Sequence, residues 1–185
     1  MKNYVIFGAP GAGKGTQAEL MAEKFGLVHL SSGAVLRQEA KKGGLGEKIK
    51  KYQAQGRLVP DAMIISLMEK KINRALKKGL ILDGYPRTLH QARALDKFLA
   101  SKKTAIDAVF SLRLSEALAL KRVKQRGLSS GRSDDNSQTI INRFAVYHAQ
   151  TLPLLDYYKK QRKLINIDGR PKINDIFQEI AKKIK

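Results

Sequence analysis

The sequence predicts an α/β fold in which a parallel sheet of five strands lies between two layers of helices. Three observations support this prediction: five short apolar runs, helical periodicity in the intervals between them, and a glycine-rich loop directly after the first run. Strands that alternate with helices favour a parallel sheet covered on both faces. We expect the 185 residues to form one domain that buries a substantial core.

The predicted strands are the five apolar runs at residues 4–7, 27–30, 80–82, 109–112 and 164–167. Apolar residues at helical spacing predict helices at residues 17–24, 62–77, 89–99, 115–126, 138–158 and 173–184. Two segments interrupt this alternation. Residues 31–60 contain short helical pieces separated by glycines, and residues 127–136 are rich in glycine and serine, which is typical of a mobile lid.

The segment GAPGAGKGT at residues 8–16 is the most informative motif of the chain. It follows a predicted strand and precedes a predicted helix, which is the context of a phosphate-binding loop. Glycines let such a loop turn its backbone N–H groups inward, and Lys14 adds a full positive charge for the outer phosphates. The general motif has Ser or Thr directly after the lysine, whereas Gly15 stands here before Thr16.

Composition limits the other classes of function. The net charge of +20 is compatible with a nucleic-acid-binding protein, but much of it lies in scattered lysine pairs on predicted helices, which is typical of solvated helix faces. The absence of cysteine excludes disulfides and thiolate metal sites. No apolar run approaches the length of a membrane span, and we expect a cytoplasmic protein.

Ligands of open parallel sheets bind at the carboxyl ends of the strands. The phosphate loop, residues 31–33 and residues 83–87 follow the first three predicted strands, so we expect them to meet at one edge of the sheet. Arginines are well suited to bind phosphate oxygens with two hydrogen bonds. The candidates near strand ends or the predicted lid are Arg37, Arg87, Arg122, Arg126, Arg132 and Arg143. So many arginines indicate a phosphate donor and a phosphorylated acceptor, and therefore phosphoryl transfer.

Acidic residues provide further candidates. Asp83 ends a predicted buried strand beside the phosphate loop. A carboxylate at this place is typical of a residue that holds Mg²⁺ through water, and the alternative is an aspartate that caps a helix or a turn. Asp134 and Asp135 either form ion pairs that close the predicted lid or cap the following helix. The three histidines have no metal-ligand spacing and are interpreted as ordinary residues.

Six ordered blocks of the chain resemble the nucleoside monophosphate kinases, and most closely the adenylate kinase family. The blocks are GAPGAGKGTQ at 8–17, SSGAVLR at 31–37, GRLVPD at 56–61, DGYPRTLHQA at 83–92, SGRSDD at 130–135 and NRFAVYH at 142–148. The resemblance implies a P-loop fold, a subdomain at residues 31–60 that binds the nucleoside monophosphate, and a short lid at 127–136. It implies a monomer that reversibly converts MgATP and AMP into two ADP.

The resemblance also implies roles for individual residues. Those implied to bind ATP are Gly11, Ala12, Gly13, Lys14, Gly15, Thr16, Arg122, Arg126 and Pro171. Those implied to bind AMP are Ser32, Arg37, Arg57, Leu58, Val59, Gly84, Tyr85, Pro86, Arg87, Gln91, Arg132 and Arg143, with Gln91 reading the adenine edge. The implied catalytic set is Lys14, Asp83, Arg87, Arg126, Arg132 and Arg143, with Mg²⁺ held near Thr16 and Asp83 through nucleotide and water.

The chain departs from the family pattern at three places. Ala34 stands where the family commonly has Asp, which removes a carboxylate from the water shell of the magnesium. Tyr85 replaces the more usual Phe. The lid is short and the chain has no cysteine, so it lacks the zinc site that some long-lid relatives carry there.

Two alternative functions remain open at this stage. UMP/CMP kinases share the short lid, but they tend to have Asn where Gln91 stands, so Gln91 favours AMP as the acceptor. A P-loop protein that binds nucleic acid through its charge would show steep salt dependence, but it would leave Arg37, Arg87 and Gln91 unexplained.

Overall fold

Five parallel strands form one sheet in the described part of the chain, as the sequence predicts. The computed structural model describes residues 2–130 and 137–184, and for residues 126–130 and 137 it describes the backbone alone. The strands are β1 (Asn3–Gly8), β2 (Val28–Ser31), β3 (Leu80–Asp83), β4 (Ala108–Arg113) and β5 (Leu164–Asp168). Their order is β2-β3-β1-β4-β5, and every neighbouring pair is parallel.

Helices cover both faces of the sheet. In chain order they are α1 (Lys14–Phe25), α2 (Ser32–Glu39), α3 (Leu45–Ala54), α4 (Asp61–Ala75), α5 (Leu89–Ser101), α6 (Glu116–Ser130), α7 (Ser137–Val146), α8 (Pro153–Lys160) and α9 (Ile173–Lys183). Helices α2 and α3 lie within residues 31–60, where the sequence predicts short helical pieces. No helix within the described residues is long and apolar enough to cross a membrane.

Strand β1 lies at the centre of the sheet and is buried along its whole length. Tyr4 and Ile6 pack in one hydrophobic cluster with residues of α1 and α9, whereas Val5 and Phe7 pack in a second cluster with residues of α4, α5 and α8. Successive side chains of a strand point to opposite faces, so a strand buried on both faces is apolar without alternation. Burial of each such side chain stabilises the fold by about 1.5–3 kcal/mol.

The carboxyl ends of β1, β3 and β2 meet at one edge, as expected from the sequence. Asp83 in β3 is paired with Ile6 in β1 and with Ser31 in β2. The segments that follow these three strands therefore start side by side. The order of the strands reverses around β1, and the crevice at such a point is the usual ligand site of open α/β sheets.

The helical segment predicted at residues 138–158 differs from a single α-helix. It consists of α7, a π-helical turn at Tyr147–Thr151, and α8, which has Pro153 at its first turn. Proline has no amide hydrogen to donate to the preceding turn. In the widened turn before it, the amide of Leu152 donates to the carbonyl of Tyr147, five residues earlier.

Helix α6 also differs from its prediction at residues 115–126, because it continues to Ser130. No proline lies between residues 127 and 130, and a single glycine lowers helix stability by only about 1 kcal/mol. The first residues of the predicted lid are therefore helical. The remainder of that prediction, including Arg132, Asp134 and Asp135, lies outside the described residues.

Candidate active site

The loop between β1 and α1 is arranged to surround an anion. Gly13, with a φ of 92°, precedes the first residue of α1, and no side chain caps the helix there. The amide groups of the first turn are therefore directed at the loop, where the helix adds partial positive charge. Lys14 Nζ donates to the carbonyl oxygens of Gly8 (2.7 Å) and Ala9 (2.9 Å), which places the ammonium group at the same loop.

Gly11 brings this loop against the backbone of α6. Its φ is 83°, and a Cβ at this position would clash with the carbonyl oxygen of Ala119 and stand 2.7 Å from Val123 Cγ2. Ala119 and Val123 are fully buried. A glycine is therefore required at position 11 by both the backbone conformation and the close approach of the helix.

Asp83 carries a negative charge next to the start of α1. A Cβ at Gly15 would stand 3.7 Å from Asp83 Oδ2, and His29 Nε2 lies 3.7 Å from the same oxygen. Burial raises the pKa of Asp83. The hydrogen bond from His29 and the positive charges of Lys14 and Arg87 lower it by more than burial raises it, so the net pKa is below its ordinary value. The carboxylate is therefore ionised at neutral pH.

A cavity, which we name the first cavity, opens between the ends of β1 and β3, helix α2 and helix α7. Leu36, Ile64 and Val146 contribute apolar surface, and Lys14 reaches the cavity from the phosphate loop. The remaining lining includes most of the residues that the family resemblance implies for AMP, namely Ser32, Arg37, Arg57, Leu58, Val59, Gly84, Pro86, Arg87, Gln91 and Arg143. An apolar cavity with several guanidinium groups suits a base joined to a phosphate.

The carbonyl oxygen of Gly84 fixes two polar side chains of the first cavity. It accepts hydrogen bonds from Ser32 Oγ (2.6 Å) and from Arg87 Nε (2.8 Å). Gly84 has a φ of 69°, and a Cβ there would stand 2.9 Å from both Ser32 Oγ and Arg87 Nη2. Thr151 Oγ1, in the π-helical turn, donates to the carbonyl of Arg87 at 3.1 Å. Arg87 is therefore held at its backbone and at its guanidinium group.

Helix α7 positions the turn that follows α3. Thr139 Oγ1 donates to the carbonyl of Ala54 and Asn142 Nδ2 to the carbonyl of Gln55, each at 3.0 Å. Gly56 has a φ of 66°, and a Cβ there would stand 2.6 Å from the carbonyl oxygen of Thr139. These contacts place the next three residues, 57–59, in the wall of the first cavity.

Gln91 uses both ends of its amide inside the protein. Nε2 donates to Asp61 Oδ1 and Oε1 accepts from the backbone amide of Arg87, each at 2.7 Å. The other carboxylate oxygen, Asp61 Oδ2, accepts from Thr88 Oγ1 at 2.7 Å and lies 3.2 Å from His90 Nδ1. Thr88 Oγ1 also accepts the backbone amide of Gln91 at 3.1 Å and so caps α5.

A second cleft lies on the other side of the phosphate loop. Its lining consists of residues from the loop, from α6 and from the start of α9: Gly11, Ala12, Gly13, Thr16, Gln17, Arg122, Pro171, Lys172, Ile173, Asn174, Asp175 and Ile176. Arg122 Nη1 donates to the carbonyl of Gly169 at 2.9 Å, and Gln17 Nε2 donates to the carbonyl of Ile173 at 2.9 Å. These bonds hold the segment around Pro171 close to α1 and α6.

Comparison with known proteins agrees with this geometry. The family model described as adenylate kinase matches residues 6–163. The chain is 46% identical over 183 residues to the adenylate kinase of Phocaeicola vulgatus, covering 98% of this chain and 97% of the relative. It is 45% identical over 186 residues to that of Parabacteroides distasonis, covering 100% and 98%, and 42% identical over 187 residues to that of Flavobacterium psychrophilum, covering 100% and 98%.

The chain belongs to the adenylate kinase family. The resemblance and the P-loop fold predicted from the sequence are therefore confirmed, and the chain is a phosphotransferase that binds nucleotides. The form of the phosphate loop with Gly15 between Lys14 and Thr16 is thus found in a member of a kinase family.

Not every residue that the adenylate kinase resemblance implies lies in a cavity wall. The ring of Tyr85 is buried in the core, only 1% exposed, and it does not line the first cavity. Asp83 and Gly15 face each other outside the lining of both cavities. The side chain of Arg126 and the whole of Arg132 lie outside the described residues. The other implied residues line one cavity or the other, and their roles remain predictions.

Three residues at this adenylate kinase site, Asp61, His29 and Thr151, are not predicted from the sequence. Asp61 ends the GRLVPD block, but an acidic residue before a helix is usually interpreted as a contribution to the helix terminus. The sequence predicts an ordinary role for His29, yet its side chain lies beside Asp83. Thr151 lies in the π-helical turn, which no pattern in the sequence predicts. The contact of Gln91 with Asp61 joins residues 30 positions apart, and only the fold reveals it.

Proposed function

We propose that this enzyme catalyses the reversible transfer of a phosphoryl group from MgATP to AMP, which yields two ADP. One observation carries the proposal: the first cavity and the second cleft adjoin the same phosphate loop, and Lys14 lines the cavity that contains the arginines. Two nucleotides bound on the two sides of this loop would meet at their phosphates. The names of the relatives favour AMP over a pyrimidine nucleotide as the acceptor.

AMP would occupy the first cavity. Arg37 and Arg87 would bind its phosphate, and the apolar wall that includes Leu36 and Ile64 would contact its base. Arg87 is suited to this role because Gly84 and Thr151 hold it in place before a ligand arrives. Gln91 would bind the edge of the adenine, since an amide supplies both a donor and an acceptor.

ATP would occupy the second cleft and the phosphate loop. The backbone amides of residues 11–16 and the ammonium group of Lys14 would bind its phosphates. Arg122, which is held by the carbonyl of Gly169, would pack against the adenine together with the backbone at Pro171. Arg126 would contact the ATP phosphates, as the resemblance implies.

The chemistry requires little covalent participation by the protein. An oxygen of the AMP phosphate attacks the terminal phosphorus of ATP, and the bond from that phosphorus to the oxygen of the second phosphate breaks. Charge spreads over the transferred group, and Lys14, Arg87, Arg143 and, by resemblance, Arg132 would stabilise it. Positive groups fixed before the reaction are effective because they do not have to reorganise during it.

The residues at the phosphate loop fit a magnesium ion that is bound mainly by nucleotide and water. Mg²⁺ prefers hard oxygen ligands and keeps several waters. Thr16 supplies a hydroxyl, and Asp83 is an ionised carboxylate beside α1. Within the described residues no three His, Cys, Asp or Glu side chains form a metal-binding group. Thr16 and Asp83 would hold the ion, which would neutralise charge on the phosphates when it is bound.

The proposal extends to organisation and context. Residues 31–60, with α2 and α3, would form the subdomain that closes over AMP, and residues 127–136 would form a short lid over the phosphates. The enzyme would act as a monomer in the cytoplasm, with ATP, AMP and ADP as its partners and without nucleic acid or membrane. Its positive charge would attract anionic nucleotides in general.

A coupled assay of ADP formation tests this proposal. ATP and Mg²⁺ are supplied with AMP, UMP, CMP or GMP as the acceptor, and the same preparation of a Lys14→Ala variant controls for contaminating kinases. We expect rapid ADP formation with AMP and much slower formation with the others. A preference for UMP or CMP would instead support a pyrimidine nucleotide kinase. Steep, salt-dependent RNA binding without any acceptor activity would support the nucleic-acid alternative.

A further inference from the structure

The amide of Gln91 is held in one orientation by two partners of opposite kind. Its side chain lines the first cavity, and the residue is only 2% exposed. Asp61 Oδ1, which accepts from Nε2, is a carboxylate oxygen, whereas the backbone of Arg87, which donates to Oε1, offers only an N–H. A rotation of the amide by 180° would place oxygen against the carboxylate and nitrogen against an N–H.

These two bonds leave half of the hydrogen-bonding capacity of the amide. A side-chain amide has two N–H donors and two acceptor positions, and the described residues use one of each. The remaining donor is on Nε2 and the remaining acceptor is on Oε1, and the protein has already fixed the positions of these two atoms. A ligand that meets this edge must supply an acceptor next to Nε2 and a donor next to Oε1.

Asp61 is itself restrained. Thr88 Oγ1 accepts the backbone amide of Gln91 and donates to Asp61 Oδ2, so the direction of its hydroxyl hydrogen is fixed as well. Asp61 is the first residue of α4, and Gln91 lies in the first turn of α5. The contact therefore joins the ends of two neighbouring helices, and neither partner depends on an exposed, freely rotating side chain.

We propose that Asp61 is a positioning residue that determines the purine selectivity of the first cavity through the orientation of Gln91. This inference rests on the proposed function, in which AMP occupies that cavity. Adenine presents N1 as an acceptor and its 6-amino group as a donor, which matches the fixed amide. The 6-oxopurines present N1–H and a 6-oxo oxygen, and they require the amide in the opposite orientation.

A purely structural role for Asp61 makes a different prediction. If Asp61 only stabilises the ends of α4 and α5, its loss affects all acceptors alike. If it fixes the amide of Gln91, its loss reduces the difference between an aminopurine and an oxopurine acceptor. The decisive quantity is therefore a ratio between two acceptors rather than the activity with one of them.

The test compares AMP with IMP, which differ at position 6 and N1 of the base. The kcat/KM of each is measured at saturating MgATP for the wild-type enzyme and for Asp61→Asn. Asn can turn its NH₂ group toward the oxygen of a rotated Gln91, so one of the two obstacles to rotation disappears. We expect the AMP to IMP ratio of kcat/KM to fall by about tenfold, with the KM for ATP unchanged.

His90 provides a matched control. His90 Nδ1 contacts the same carboxylate oxygen, Asp61 Oδ2, but its side chain is 71% exposed and it has no hydrogen bond to Gln91 in the described structure. In His90→Asn, we expect the AMP to IMP ratio to stay within about twofold of wild type, because a water-exposed contact contributes little.

The outcomes separate this inference from the proposed function. If the wild-type enzyme does not use AMP, the proposed function fails. If it uses AMP but Asp61→Asn leaves the ratio unchanged, or if the wild type uses IMP as well as AMP, the role of Asp61 is overturned. Circular dichroism and thermal unfolding verify the fold. If Asp61→Asn unfolds, Asp61→Ser, which also removes the carboxylate, replaces it in the same comparison.

Discussion

The first cavity and the second cleft adjoin the same phosphate loop, but different kinds of contact hold them. In the first cavity, the base-binding candidate Gln91 is buried and bonded to a charged side chain, Asp61. In the second cleft, Arg122 and Gln17 bond to backbone carbonyls of a segment whose side chains are largely exposed. Ile173, for example, is 54% exposed.

This difference has a consequence for recognition. A buried amide of fixed orientation distinguishes bases by the pattern of donors and acceptors on their edges. A guanidinium group that packs on a base, with a backbone carbonyl nearby, accepts any flat ring more readily, because every base has a π face. We therefore expect the first cavity to be the more selective of the two.

The largest effect is expected from a substitution of Lys14 in the phosphate loop, which both cavities adjoin. In Lys14→Ala, we expect kcat to fall by about 100-fold or more, because a fixed charge at the transferred group is lost. Lys24→Ala, at the exposed end of α1, is the matched control and should retain wild-type turnover. Thermal unfolding of both variants verifies the fold. Wild-type kcat in Lys14→Ala would contradict the assignment of the loop.

A crossed pair of variants tests whether the two sites bind different nucleotides. In Arg87→Ala, we expect the KM for AMP to rise by about tenfold to 100-fold while the KM for ATP changes little, because a charged contact to phosphate is lost. In Arg122→Ala, we expect the KM for ATP to rise by about tenfold while the KM for AMP is unchanged.

One control for this pair lies on the helix that begins two residues after Arg87, and the other lies on α6 near Arg122. Arg93→Ala on α5 and Lys124→Ala on α6 remove exposed cations that do not line either cavity. Steady-state kinetics in which AMP and ATP are varied in turn gives the KM for both substrates in each variant. If Arg87→Ala raised the KM for AMP and the KM for ATP equally, the proposal that the first cavity binds AMP and not ATP would be wrong.

The smallest effect is expected from Ala34→Asp, at the position where the family commonly has a carboxylate. Ala34 is exposed in the first turn of α2, where Asp is also favoured by the helix dipole. We expect the Mg²⁺ concentration for half-maximal activity to fall by a few-fold, because the carboxylate joins Asp83 around the bound waters. Ala34→Asn is the uncharged control. An unchanged Mg²⁺ requirement in Ala34→Asp would contradict this prediction.

Much of the fold could be predicted because it depends on local patterns. Every predicted strand is present, because each contains a short apolar run, and in β1 burial on both faces makes that run continuous at residues 4–7. The loop at Lys14 is defined by its own glycines. Gln91 was singled out by a sequence block, and the structure places it in the first cavity.

What the sequence could not predict depends on contacts between distant segments. Asp61 reaches Gln91 across 30 positions, and Thr151 reaches Arg87 across 64. The break before Pro153 is signalled by the proline, but the π-helical turn that compensates for it depends on how α8 packs. The family resemblance implies that Tyr85 lines the AMP site together with its neighbours, yet its ring is buried in the core.

The contact of Gly11 with α6 has an evolutionary consequence. Substitution in the most recognisable motif of the chain is limited by Ala119 and Val123, which belong to no motif. In a close-packed interior, an enlargement on either side of this contact displaces the other. Position 11 is therefore expected to stay glycine among relatives and position 123 to carry no side chain larger than valine, so the phosphate loop constrains a helix that contains none of its own motif residues.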